Sequence, residues 1–391
     1  MNYLSVKPAL LRWAQKRSGQ NTQSLYKKIP KLKLWETGEA KPTLKQLEEF
    51  AKTVHTPMGY LLLDKPPVEK VPIPDFRRMP ATDQKDPSPN LLDTLYICQR
   101  RQDWYKDYMH SMREQPLSFI GSVRPLTSNI MKTAENIRKI LNFSIKERKE
   151  LPTWTNALSR FIEQANSVGI LVMVSGIVGN NSHRKLDPKE FRGFALSDPL
   201  APLIFINGAD TKAAQMFTIA HELAHLWINQ TAVSNTQALT IPKHRIESWC
   251  NKVAAELLVP LNVISQLYDN RKIKHNFSNE IQRLARYFKV SSLVILRRIY
   301  DMNKLTAEDF STRYEAELKK LKQKNKKSSG GDFFLTLGVR VGHRFAKALV
   351  SHTLEGHTSF RESFQLLGIK KMSTFEKTGK SVGVNMNGLF T

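Results

Sequence analysis

Cysteine is scarce: Cys98 and Cys250 are the two in a chain of 391 residues. Two thiols cannot build a disulfide framework or a four-thiolate zinc site; they suit a reducing cytoplasm and read as ordinary buried residues. Long apolar runs are also missing. The longest, such as Leu61 to Leu63 and Ile170 to Val174, are far shorter than a membrane span, and residues 1–18 alternate apolar with basic side chains. Neither a membrane partner nor an export route is expected. Acidic residues are outnumbered, with 35 Asp and Glu against 60 Lys and Arg, for a formal charge of +25. Such an excess attracts polyanions over a Debye length. Apart from a cluster at Lys319 to Lys327, the basic residues are spread along the chain. Nucleic acid is therefore a candidate partner, with a solvated surface as an equal reading.

What is present is ordinary for a folded protein: 41% hydrophobic, 9% aromatic and 24% charged residues, outside the disordered and collagenous classes. The length favours two or three domains. Short helices separated by turn signals open the chain: Leu10, Leu11 and Ala14 share a helical spacing, Gly19 is a stop, and a second helix surrounds Leu25. Thr43 is placed to cap a third, amphipathic helix bearing Leu44, Leu47 and Ala51. Prolines at 66, 67, 72, 74, 80, 87 and 89 then forbid regular helix and predict an extended linker. Residues 91–115 and 126–166 read as helical. Short apolar runs at 169–174, 193–196 and 202–207 read as strands of a small sheet. A helix follows from near Thr211, with Asp210 as its expected cap. The helical pattern resumes at Glu247 and runs to about Leu321, where a charged, flexible stretch breaks it.

The chemistry lies in His221-Glu222-Leu223-Ala224-His225. Residues four apart share one helix face, so the two imidazoles can reach one metal ion while Glu222 stands beside it. In the HExxH pattern, zinc activates water and the glutamate takes its proton. With ten histidines in the chain, chance supplies such a pattern roughly 0.02 times, which makes coincidence a poor account. A catalytic zinc usually takes three protein ligands. A third histidine six residues past the motif is excluded, because Thr231 stands there and Ile228 replaces the accompanying glycine. Glu247, 22 residues after His225, shares a helix face with Asn251 and can complete the set. Asn251 is then placed to orient a ligand histidine from behind. Glu256 is the rival ligand, two and a half turns further on, and cannot face the same ion as Glu247. Glu247 is favoured, since Val253, Ala254, Leu257 and Leu258 beside Glu256 read as a core face.

Phe217 to Leu226, Glu247 with Asn251, and Ala254-Ala255-Glu256-Leu257-Leu258-Val259-Pro260 together resemble the ImmA/IrrE family of metallopeptidases. The resemblance extends to Gly169-Ile170-Leu171-Val172, Arg192-Gly193-Phe194 and Pro202 to Asn207. At the amino terminus, Trp35-Glu36-Thr37-Gly38 and Pro42 to Leu47 resemble repressor-like (XRE-type) helix-turn-helix domains. It implies an α+β, mainly helical fold, with a small sheet packed on a gluzincin-like HExxH helix and helical domains on either side. It further implies one zinc ion held by His221, His225 and Glu247, with Glu222 as general base. The partner implied is a protein substrate, such as a DNA-binding repressor, cut at one site. The strand Ile204-Phe205-Ile206-Asn207 would offer its edge to an extended substrate segment. No Tyr or His is tied by a motif to an oxyanion role.

The domains expected are 1–65, degenerate helix-turn-helix-like; 66–125, proline-rich linker and helix; 126–318, metallopeptidase; 319–331, basic flexible linker; and 332–391, carboxy-terminal and helical. The first departs from its model. Repressor-like domains place about thirteen residues between the leucine of the second helix and the tryptophan, whereas Leu25 and Trp35 are ten apart and enclose Pro30. This unit is expected to dock protein instead of DNA. A second helix-turn-helix-like pattern, Ile281 to Arg298, has Ser291 as a cap and offers Arg297 and Arg298 to phosphates; its plainer reading is a packed helical hairpin. The alternative function is accordingly a DNA-binding transcriptional regulator with a structural or vestigial zinc site. His343, His352 and His357 lack metal-site spacing and read as core or surface residues.

Overall fold

The computed structural model describes residues 3–75, 87–234, 245–269, 276–324 and 333–386, with side chains for all but 321–324 and 333–336. Two compact units emerge: residues 1–72 with 79–96, and residues 73–78 with 97–391. The chain is α+β and mainly helical, with a small mixed sheet.

In the first unit, Pro8–Ser18 ends at Gly19, whose φ of +64° is the left-handed turn that a glycine allows. Thr22–Lys28, Leu32–Thr37 and Leu44–Thr53 follow, and the last opens on a capping box between Thr43 and Gln46. Leu11, Ala14, Leu25, Leu32, Trp35, Leu47 and Phe50 form its core. The helix carrying Trp35 has six residues, and Leu32 and Trp35 are buried, so little of it is left to enter a groove.

The second unit contains a four-stranded mixed sheet. Its strands are β1, Leu171–Ser175; β4, Gly193–Leu196; β5, Leu203–Asn207; and β6, Ala232–Ser234. A separate ribbon pairs β2, Ile177–Val178, with β3, Asn181–Lys185. β5 runs parallel to β1 and antiparallel to β4. This corrects the expectation for Ile204, Phe205, Ile206 and Asn207: their strand is internal, with both edges paired. The reason lies in distant pairing: Leu171–Ser175 takes one edge of the run and Gly193–Leu196 the other, which an apolar composition alone does not specify. At the β6 side, Val233 donates its N–H to the carbonyl of Pro74 at 3.0 Å, and Asp75 forms a parallel bridge with Val233.

The helix Lys212–Trp227 lies against β4 and β5 and is buried from Gln215 to its end. Thr211, not Asp210, caps it by accepting from the N–H of Ala214; Asp210 instead pairs with Arg192 at 3.1 Å. Arg245–Leu258 packs across this helix, and Ile130–Leu141 and Trp154–Ser167 complete the layer. Phe277–Phe288 and Ser292–Asp301 form a hairpin capped by Ser291, whose Ile281, Leu284, Phe288, Ile295 and Ile299 enter the same core. The basic segment expected at 319–331 is helical to Lys324 and otherwise lies outside the described residues. Phe333–Val341 and His343–Leu354 pack onto β1. Between them Gly342, with φ of +84°, approaches so closely that a Cβ would meet the carbonyl oxygen of Val172 at 2.9 Å. No helix among the described residues is long and apolar enough to cross a membrane.

Candidate metal centre

One turn separates His221 and His225, and their Nε2 atoms stand 3.0 Å apart. Glu247, from the crossing helix, reaches both: Oε2 is 3.3 Å from His221 Nε2 and Oε1 is 2.9 Å from His225 Nε2. All three side chains are buried. Among the described residues this is the one place where three His, Cys, Asp or Glu side chains converge with metal-binding geometry. Four ligands at tetrahedral zinc, with bonds of about 2.0–2.1 Å, lie about 3.3 Å from one another, so these donors are spaced as three corners of such a set.

The electrostatics favour a cation. Burial by itself would raise the Glu247 pKa, but His221 and His225 hold the carboxyl well below its usual range. Burial opposes the charged form of His221, and the field of Glu247 outweighs it, so its pKa rises. Asn251 also favours charged His221. The Nδ1 of His221 and the Oδ1 of Asn251 are both buried without a formed hydrogen bond, and a bond between them would satisfy both and fix the imidazole.

Glu222 is fully buried, and neither of its carboxylate oxygens has a formed hydrogen bond. Burial pushes its pKa up to about 8, eased by His221 and reinforced by Glu247. The Ser234 hydroxyl, at the end of β6, is close enough to favour the ionised form, though it makes no formed hydrogen bond. Gly193, opposite Ser234, is the floor beneath this carboxylate. A Cβ at that position would lie 2.5 Å from Thr218 Cγ2, 2.8 Å from the Phe205 carbonyl oxygen and 3.3 Å from Glu222 Oε1. Sequence reasoning missed Ser234 altogether. Gly193 carried a signal, since a lone glycine inside a strand often marks a close approach.

The Glu247 helix is anchored at its far end. Arg138 donates to the Glu256 carbonyl at 2.8 Å, Arg148 to the Leu258 carbonyl, and Arg298 to the Val259 carbonyl at 2.9 Å. Three guanidinium groups therefore satisfy the carbonyls that a helix end leaves open and complement its dipole. Arg298 also pairs with the Glu256 carboxylate, in a pair with about 4% of either side chain exposed. Glu256 is thus committed away from the metal site, which removes it as a rival ligand. The same contacts correct the expectation for Arg298: it is a buried internal staple with no face for phosphate. Arg297 is half-buried, pairs with Asp301 at 2.9 Å and lies over the Tyr300 ring. Cys250, beside Glu247, has its thiol pKa raised by burial first and then by Glu247 and Glu222, in keeping with an inert core residue. His352 bonds Thr358 and packs against Trp104 and Tyr108, as a structural residue does.

Residues 165–300, about a third of the chain, match the family model of the IrrE N-terminal-like domain. The match encloses His221, Glu222, His225, Glu247 and Asn251 and points to a metallopeptidase family whose substrates are proteins. Residues 341–381 match a domain of unknown function. No curated protein and no solved structure matches the chain.

Proposed function

We propose that the chain is a zinc-dependent endopeptidase of the gluzincin kind, with His221, His225 and Glu247 holding one zinc ion and Glu222 acting as general base. Its substrate is a specific regulatory protein, such as a DNA-binding repressor or an antitoxin-like partner. The observation that carries this reading is the meeting of three buried donor atoms from two helices at 2.9–3.3 Å, beside a buried carboxylate with no formed hydrogen bond.

A zinc ion held by these donors supplies Lewis acidity, which makes water more acidic and a carbonyl more electrophilic at neutral pH. Glu222 takes the proton of the attacking water and delivers it to the leaving amine. Its burial beside the three donors holds the carboxylate in place for both steps. Asn251 orients His221, and the arginine-anchored end of the second helix holds Glu247 in place. The repressor-like amino-terminal sequence supports a regulatory protein as the substrate, by analogy between the two. The DNA-binding alternative loses one support, since Arg298 is internal.

The deciding experiment compares wild type with Glu222→Gln in metal content and in proteins shortened on expression. One zinc per chain in both, with fragments from the wild type alone, is expected. Fragments persisting in Glu222→Gln, or a wild type that takes up no zinc, would overturn the reading.

A further inference from the structure

A cavity of about 760 Å³ lies in the second unit, away from the three metal-binding side chains. That volume falls within the range of about 300–1,000 Å³ usual for small-molecule sites. Its walls come from Trp154–Ser167, β1, the first turn of Lys212–Trp227, and the carboxy-terminal helices. The interior is apolar, with Leu158, Val172 and Val174 buried in its floor and Ile162, Val339 and Val382 around them.

Charge on the lining is one-sided. Lys212, Arg344 and Lys347 face a single acid, Glu163, and that acid is exposed and already lies 3.7 Å from Arg160. Arg344 is fixed by its bonds to the Tyr105 hydroxyl at 2.8 Å and the Asn166 carbonyl at 3.1 Å, both neutral acceptors. Among the described residues, the ammonium of Lys212 meets the Gln215 side-chain oxygen alone, at 3.4 Å. Local burial lowers its pKa with no acid to offset the effect, although the residue as a whole is exposed. Three cations against one exposed acid at the mouth of an apolar cavity leave an excess of positive charge, which is complementary to an anion that carries an apolar body.

We propose that this cavity binds a small amphipathic carboxylate, with its chain against Leu158, Val172 and Val339 and its head among Lys212, Arg344 and Lys347. The ligand would touch both the segment at 341–381 and the first turn of the HExxH helix. Its binding does not depend on the peptidase reading.

The test is calorimetric titration of the full chain with decanoate, with decanol and acetate as the neutral-chain and chainless comparators. One saturable decanoate site is expected, with both comparators at least about tenfold weaker. Replacing two cations, Lys212→Gln with Lys347→Gln, should weaken decanoate about tenfold, as two partly exposed ion pairs would. Val339→Trp should fill the cavity and abolish binding with an unchanged melting temperature. Unsaturable uptake, equal binding of decanol, or full affinity in the doubly neutralised chain would each overturn the proposal.

Discussion

Gly193 and Ser234 are register partners across β4 and β6, and both border the Glu222 carboxylate. A strand pair thus forms the floor of a site whose three candidate metal donors come entirely from helices. Space there is exhausted. Gly193→Ala would place a methyl 2.5 Å from Thr218 Cγ2 and 2.8 Å from a backbone carbonyl, neither of which is a flexible chain end. A destabilisation of about 1–3 kcal/mol is expected from overpacking, together with displacement of Glu222. Denaturant unfolding of the variant checks the first and its cleavage rate the second; wild-type values for both would remove Gly193 from the site.

The two glutamates of the Arg245–Leu258 helix should separate cleanly. Glu247→Ala removes a donor, so metal content should fall to near zero while the fold persists. Glu256→Gln should keep the metal but lower stability by about 1–3 kcal/mol, because Arg298 loses its buried charge partner and keeps only Asp301, at 3.1 Å. Metal analysis beside thermal unfolding distinguishes them, and metal loss in Glu256→Gln with retention in Glu247→Ala would reverse the ligand assignment.

Arg298 offers a matching test on nucleic acid. Arg298→Met should destabilise the chain, since the Val259 carbonyl loses its side-chain donor and the Glu256 carboxylate keeps only the Leu261 N–H. It should leave any salt-dependent affinity for DNA unaltered. A fall in DNA affinity in a variant of normal stability would return this residue to the surface.

A pH effect is expected at Asp198, which accepts from Lys106 at 2.6 Å. Burial pushes this carboxyl upward, but Lys106 and the N–H groups of Leu200 and Ala201 outweigh it and hold the pKa below its ordinary value. A folded-state pKa below the unfolded one stabilises above the unfolded value, and that contribution is lost as pH falls through the folded value. The stability gap between wild type and Asp198→Asn should therefore be widest near neutrality and close in acid. Midpoints of urea unfolding across pH measure it, and a gap that persists well below the carboxylate range would show that charge is not its cause.

The i, i+4 spacing of His221 and His225 and the shared face of Glu247 and Asn251 were legible because a helix turns local spacing into a common surface. Caps at Gly19, Thr43 and Ser291 were legible for the same local reason. Strand position was not. The run Leu203–Asn207 is equally apolar whether it lies inside a sheet or against a cover, and its neighbours are fixed by pairings with residues far away in sequence. Charge misled at Arg298, which besides the nearby Asp301 has partners, Glu256 and Val259, about forty residues earlier in the chain.

The amino-acid sequence by itself determined which residue types stand at 221, 222, 225 and 247 and their helical phase, because these depend on neighbours within a few turns. Only the tertiary structure decided that Glu247 and not Glu256 meets the histidines, that Gly193 and Ser234 lie under Glu222, and that three arginines secure the helix behind them. Those are contacts between elements, set by packing in the shared core, and no local pattern encodes which buried charge finds which partner.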